Sequence, residues 1–173
     1  MDKNQWLQTL LRDHEGRLLR YARRFVGDQL AREIVQETFL RLWREVPATL
    51  EGREAEWLFC VCRNLCLDAL KKEKKMSSDP LEPAEIVTDQ ESADEKLERE
   101  QETNHITRLI TELPTSQREV VRLKFQEGFS YKEISSITGH SVSHVGVLIH
   151  EAMKKLKNQL ASPQIATAQG GRK

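Results

Sequence analysis

Residues 130–156 read SYKEISSITGHSVSHVGVLIHEAMKKL, and the order of capping, small and apolar residues in this stretch decides the fold of the C-terminal half. Ser130 and Glu133 have the spacing of a capping box, in which each side chain takes the backbone N–H of the other residue. The helix they start is short, because Gly139 supplies the left-handed backbone on which a helix stops. Ser135 puts a small residue where a second helix has to cross. Val145, six positions beyond Gly139, is placed to lock that second helix onto the first. The pattern predicts a helix-turn-helix whose long second helix covers about 143–159. Its apolar stripe is Val145, Ile149, Met153 (or Ala152), Leu156 and Leu160. The opposite face is left for the major groove of DNA. A plain helical hairpin is the blander reading of the same residues.

Upstream, a helix over about 116–126 offers Val120, Val121 and Phe125 to the core and stops at Gly128. Before it, Pro114 ends a helix carrying Leu97, Ile106, Leu109, Ile110 and Leu113, for which Ser92 and Glu95 have capping-box spacing. Residues 77–90, SSDPLEPAEIVTDQ, hold two prolines and an excess of acid, and read as a flexible linker. The N-terminal block reads as a helical bundle. Leu7, Leu10, Leu11, Leu18, Tyr21 and Phe25 recur at helical spacing, and Gly27-Asp28 separates them from a second helix over about 29–45. That helix turns Leu30, Ile34, Thr38 and Leu42 one way and Glu33, Gln36, Glu37 and Arg44 mostly another, and Pro47 stops it. A third helix, EAEWLFCVCRNLCLDALKKEKK at 54–75, is apolar nearly all round before its basic end, as expected of a buried helix. The last dozen residues, SPQIATAQGGRK, read as a disordered tail.

Composition agrees with an all-α chain: aromatics are 6% and charged residues 31% of the 173 residues. The formal net charge of zero hides an asymmetry. Residues 1–75 carry 15 Lys/Arg against 12 Asp/Glu, residues 76–100 carry 2 against 9, and residues 101–173 carry 10 against 6. Two mildly basic blocks flank an acidic one, an arrangement compatible with nucleic acid at both ends. An acidic tether between them is placed to screen the blocks from DNA, or simply to keep the chain soluble. No run approaches the roughly 18 apolar residues of a membrane span. The opening residues, MDKNQWLQTLLRDHEGR, lack the basic-then-apolar order of a secretory signal, so a cytoplasmic location is expected. Three cysteines, an odd number, fit a reducing compartment better than a disulfide framework.

Three stretches in order resemble the extracytoplasmic-function (ECF) group of the sigma-70 family of bacterial RNA polymerase sigma factors. They are DQLAREIVQETFLRLWRE at 28–45, EWLFCVCRNLCLDALKK at 56–72 and ELPTSQREVVRLKFQEGFSYKEISSITGHSVSHV at 112–145. The resemblance covers about residues 10–160. It implies an all-α protein with a helical bundle of the region 2 type at 1–76 and an acidic linker at 77–92. A helix-turn-helix domain of the region 4 type, homeodomain-like or winged-helix-like, follows at 93–161, with a tail at 162–173. It implies two partners, core RNA polymerase (the β′ clamp coiled coil and the β flap) and promoter DNA. An anti-sigma protein is a third family expectation, and neither catalysis nor a cofactor is expected.

Residue by residue, the resemblance assigns polymerase docking to Glu33, Gln36, Glu37, Leu40 and Trp43, with Trp43 also readable as core. It assigns the promoter −10 element to the loop Val46–Arg53, for a flipped base, and to Arg63, Asn64, Lys71, Lys72, Lys74 and Lys75, for the melted strand. The lysine run equally offsets a helix dipole. The −35 element falls to Ser141, Ser143, His144, Val147, Lys154 and Lys155. Here the chain departs from the family it resembles, which usually carries Lys or Arg at several of the positions held by Gly146, Leu148 and Glu151. Readout by bidentate arginine is lost, and Val147 or Leu148 is left to meet thymine methyls. Gly146 costs about 1 kcal/mol within a helix, which suits a close approach by another group.

Two clusters compete for other functions. Cys60, Cys62 and Cys66 share one helix but lack a neighbouring fourth ligand, so core packing is favoured over zinc. His140, His144 and His150 lie close together on what reads as a DNA-facing helix. No phosphate loop or nucleophile motif accompanies them, so a metal-dependent hydrolase ranks low. The main alternative is a regulator that binds an operator without joining polymerase.

Overall fold

The computed structural model describes residues 2–76 and 101–162. All regular structure among the described residues is helical: α1 Lys3–Ala22, α2 Asp28–Arg44, α3 Pro47–Leu50, α4 Glu54–Met76, α5 Gln101–Thr111, α6 Thr115–Phe125, α7 Tyr131–Thr138 and α8 Val142–Ala161. The capping box expected at Ser92 and Glu95, the acidic tether and the C-terminal tail lie outside the described residues.

The N-terminal half is a three-helix bundle in which α1, α2 and α4 each pack on the other two. Ala31, Ile34, Val35, Thr38 and Leu42 form the buried face of α2, and Thr38 satisfies its hydroxyl on the Ile34 carbonyl at 2.8 Å. Pro47 does more than end α2. It takes the first position of α3, where a missing N–H costs nothing. Gly52, with φ +78°, then turns the chain into α4. Leu58, Phe59, Cys62 and Cys66 make α4 the central helix of the bundle.

In the C-terminal half α8 packs along α6 and α7. Leu109, Leu113, Val121, Ala152 and Leu156 form a small cluster that seats α5 on α8. Phe125 is not core: it is 59% exposed. The helix ends at this residue, and the turn through Gly128, with φ +77°, brings Phe129 inward instead. Leu30 and Leu160, near the ends of α2 and α8, are open for the same reason, and Ile106, in the middle of α5, is exposed as well.

The two halves are joined by more than chain. One apolar core contains Tyr21, Phe25, Phe59, Cys62 and Cys66 of the first half with Phe129, Ile134, Ile137 and Val145 of the second. Helix α7 lies across α4, and the Phe59 and Phe129 rings meet edge-on with centroids 5.0 Å apart.

Candidate polymerase and promoter surfaces

The outer face of α2 follows from its periodicity. With Ile34, Thr38 and Leu42 inward, Gln36, Leu40 and Trp43 form a stripe at helical spacing on the other side. Leu40 is 53% and Trp43 58% exposed, so Trp43 belongs to the surface and not to the core. Large exposed aromatics are uncommon and mark interfaces. Glu37 pairs with Arg41 at 3.0 Å, and Glu33 accepts from Gln29 Nε2 at 3.2 Å, so the carboxylates are held along one edge of the stripe. Beside it runs a groove of about 740 Å³ between α1 and α2, with Leu7, Leu11, Leu19, Val35 and Phe39 among its walls and Leu40 and Trp43 at its rim.

Helix α4 carries the residues expected at the −10 element. Lys71, Lys72 and Lys75 are exposed at its C-terminal end, Lys74 is half-buried, and Asn64 is exposed. Arg63 differs from them. Its guanidinium spans both oxygens of Glu119 on α6, at 2.7 and 3.2 Å, and only 16% of its side chain is accessible. Burial acts to lower the pKa of Arg63, but the hydrogen bond and charge of Glu119 outweigh it and raise the value overall. The Tyr21 hydroxyl donates to the same carboxylate at 2.8 Å, and burial, reinforced by Glu119, holds that phenol well above its ordinary pKa. The Val46–Arg53 loop contains the short α3 and opens to solvent at Val46, Ala48, Thr49, Glu51, Gly52 and Arg53.

The helix-turn-helix is built as its capping residues dictate. Ser130 N–H donates to Glu133 at 2.7 Å and Glu133 N–H to the Ser130 hydroxyl at 3.2 Å. Gly139 stops α7 at φ +80°, a conformation strained for any residue with a Cβ. Ser135 donates its hydroxyl to the His140 carbonyl at 2.6 Å, closing the turn, and Ser141 caps α8 by accepting from His144 N–H at 3.1 Å. Val145 is fully buried, as a lock between the helices requires.

Ser143, His144, Val147, Lys154 and Lys155 then point outward, together with the capping Ser141. The three departures from the family pattern acquire physical roles. Leu148 is buried, at 6% exposed, so of the two apolar candidates only Val147 is open to DNA. Glu151 accepts from Gln117 on α6 at 3.1 Å. Gly146 admits the ring of Tyr131, which lies 3.6 Å from where a Cβ would stand. The His140 and His144 rings meet edge-on at 5.0 Å, and burial, then His144, lowers the pKa of His140.

The cysteines are part of the core. Cys62 and Cys66 are fully buried. The hydrogen bond of the Cys66 thiol to Cys62, then burial, pushes the Cys66 thiol far up. Cys60 Sγ reaches the Ser136 carbonyl at 3.4 Å, another link between halves. No group of three metal-ligating side chains occurs among the described residues.

Sequence reasoning did not single out Glu119, Glu127 or Arg17 as functional. Charged residues read as surface, and no periodicity distinguishes a carboxylate that will be buried against an arginine far along the chain.

The described residues thus combine a helix-turn-helix with an open outer face, a second helix ending in exposed lysines and a third presenting tryptophan. Family comparison makes the class specific. Residues 10–76 match sigma-70 region 2 and residues 104–156 match sigma-70 region 4. The chain belongs to the sigma-70 family, in the ECF group. It is 31% identical over 167 residues to the ECF RNA polymerase sigma factor SigE of Mycolicibacterium smegmatis, covering 92% of this chain and 63% of that protein. It is 26% identical to the ECF RNA polymerase sigma factor SigL of Mycobacterium tuberculosis, covering 87% of this chain and 86% of the relative. The ECF RNA polymerase sigma factor SigM of Bacillus subtilis is 29% identical over 74% of this chain and 78% of its own. Among solved structures, CnrH in complex with the cytosolic domain of CnrY shares the fold, with a TM-score of 0.60 at 23% identity over 91% of this chain and 89% of that one.

Proposed function

We propose that this protein is a non-catalytic initiation factor that joins core RNA polymerase and directs it to promoters. The observation that carries the reading is Trp43. An apolar helix has every reason to bury a tryptophan, yet α2 presents it with Leu40 and Gln36 on the side away from the core. On this reading Glu33, Gln36, Glu37, Leu40 and Trp43 dock on the β′ clamp coiled coil. The Val46–Arg53 loop takes a flipped −10 base. Arg63, Asn64, Lys71, Lys72, Lys74 and Lys75 hold the melted strand. Ser141, Ser143, His144, Val147, Lys154 and Lys155 face the −35 element, and the C-terminal half also meets the β flap.

Opening of the duplex then draws on binding energy for unstacked bases, which offsets a cost of a few kcal/mol per flipped base. The protein works in the cytoplasm, where the polymerase is. An anti-sigma protein is a further partner on the family resemblance. None of the helices among the described residues is long and apolar enough to cross a membrane.

The test is run-off transcription from genomic fragments by core polymerase with and without the protein. Promoter-specific transcripts that need the added chain support the reading. DNA binding without transcripts returns the protein to the class of operator-binding regulators. Trp43→Ala should weaken core binding by about 30-fold, the effect of an interface hot spot, and leave thermal stability unchanged within about 0.5 kcal/mol.

A further inference from the structure

The contacts between the two halves have a polarity. Their cations come from the N-terminal half and their carboxylates from the C-terminal half. At one end Arg63 takes Glu119 in a two-point pairing, with the carboxylate also held by the Tyr21 hydroxyl. At the other, Arg17 Nε meets Glu127 at 2.8 Å and Arg17 Nη2 donates to the Glu127 carbonyl at 2.9 Å, with Arg20 at 3.6 Å from the same carboxylate. The Glu127 side chain has no accessible surface. Between the two ends Phe59 meets Phe129, and the Arg17 guanidinium lies 5.4 and 5.9 Å from their ring centres.

A planar guanidinium that grips two carboxylate oxygens is using the geometry with which it grips two phosphate oxygens. Of the α4 residues read above as strand-binding, Asn64, Lys71, Lys72 and Lys75 are exposed while Arg63 is enclosed. We propose that Glu119 is an internal stand-in for a promoter phosphate: it closes the C-terminal half over Arg63 in the free protein, so that Glu119 and the −10 strand compete for one guanidinium. This rests on the reading of Arg63 as a strand contact.

The switch has two discrete states because its parts are buried. Separating the halves leaves Glu119 and Glu127 without their partners and uncovers Phe59 and Phe129, so partial opening gains nothing. Polymerase, by binding each half at its own site, supplies the separation. The connection does not forbid it, since the 24 residues between α4 and α5 span at most about 80 Å when extended.

The experiment compares the full-length protein with Glu119→Gln/Glu127→Gln. It uses small-angle X-ray scattering and the anisotropy of a fluorescein-labelled mixed-sequence single-stranded 20-mer. The double variant should show a larger radius of gyration, unchanged helical content by circular dichroism, and oligonucleotide affinity about tenfold higher, as expected when a competent form of about 10% becomes dominant. Adding Arg63→Gln to that variant should reverse the gain. By scattering alone, Arg63→Glu should open the protein and Arg63→Glu/Glu119→Arg should close it again, which separates a broken latch from a broken fold. Unchanged size and affinity in the double variant, or failure of the swapped pair to close, overturns the proposal while wild-type run-off transcription keeps the functional reading intact. Absence of transcription by the wild type instead overturns the function, whatever the scattering shows.

Discussion

Helices α4 and α8 are both read as facing nucleic acid, and they distribute their charge in opposite ways. Helix α4 ends in Lys71, Lys72, Lys74 and Lys75 and spends its one arginine, Arg63, on an internal carboxylate. Helix α8 carries no arginine, presents serine, histidine and valine at its N-terminal end, and keeps Lys154, Lys155 and Lys157 for its second half. The difference separates two tasks. A melted strand is held through its phosphates, for which clustered lysines suffice. A duplex is read at base edges, for which α8 offers short hydroxyls, the exposed His144 and His150 and the open valines Val142 and Val147, but no arginine. The −35 contact of this protein is therefore expected to position more than it specifies.

The largest expected effect concerns the interior sides of the two helices. Phe59→Ala on α4 should destabilise the protein by about 3–5 kcal/mol and Leu148→Ala on α8 by about 2–5 kcal/mol in urea unfolding. Val147→Ala, one position along, should stay within about 0.5 kcal/mol. Equal costs at 147 and 148 would mean that the outward face of α8 has been assigned to the wrong residues.

Next come the salt slopes. Replacing Lys71, Lys72 and Lys75 by Gln should flatten the dependence of log K on log salt for single-stranded DNA by about 2, at about 0.7 per phosphate contact. Replacing Lys154 and Lys155 should flatten the slope for duplex DNA by about 2, at about 0.9 each. Each set should leave the other probe nearly untouched, and titrations at four salt concentrations are enough to see whether the tasks are divided.

A smaller change puts back a family cation. Gly146→Lys meets only the Tyr131 ring, at 3.6 Å, and gains helix propensity of about 0.5–1 kcal/mol. The melting temperature should rise slightly and the duplex slope steepen by about 1. A more stable protein with an unchanged slope would show that position 146 faces away from phosphate.

The smallest effect is with pH. His140, in the turn between α7 and α8, is held below its ordinary value of 6.5 by burial and by His144, and His14 on α1 by burial and Arg17. The unfolded chain then takes these protons first as pH falls. Their contribution to stability is complete above about 6.5 and is lost as pH drops through the lower native values. The melting temperature should decline modestly from pH 7 to 5, with a shallower decline in His140→Gln. An identical decline in that variant would remove His140 from the account.

The helix-turn-helix was legible to the residue at its caps. Ser130, Glu133 and Gly139 act on backbone groups within a turn of themselves, so local order is enough to read them. The same holds for Gly128 and for Val145. Trp43 was readable as a candidate but not as a surface residue, because helical spacing leaves a position at the edge of a stripe free to turn either way. Phe125 and Leu148 show the limit more sharply. Both suit their stripes or faces, and which one is covered depends on where the chain goes after the helix and what lies over it.

Sequence alone, then, settled most of the helices and their stops, because capping and periodicity are short-range, and the family resemblance supplied the sigma-type order of the segments. Tertiary structure decided that Phe129 rather than Phe125 closes the core, that Tyr131 occupies the space above Gly146, and that Arg63 is engaged from within. These outcomes depend on pairs such as Arg63–Glu119 and Arg17–Glu127, which lie 56 and 110 residues apart. A charge can be buried only where its counter-charge arrives, and that meeting is a property of how the two halves pack, which local patterns do not encode.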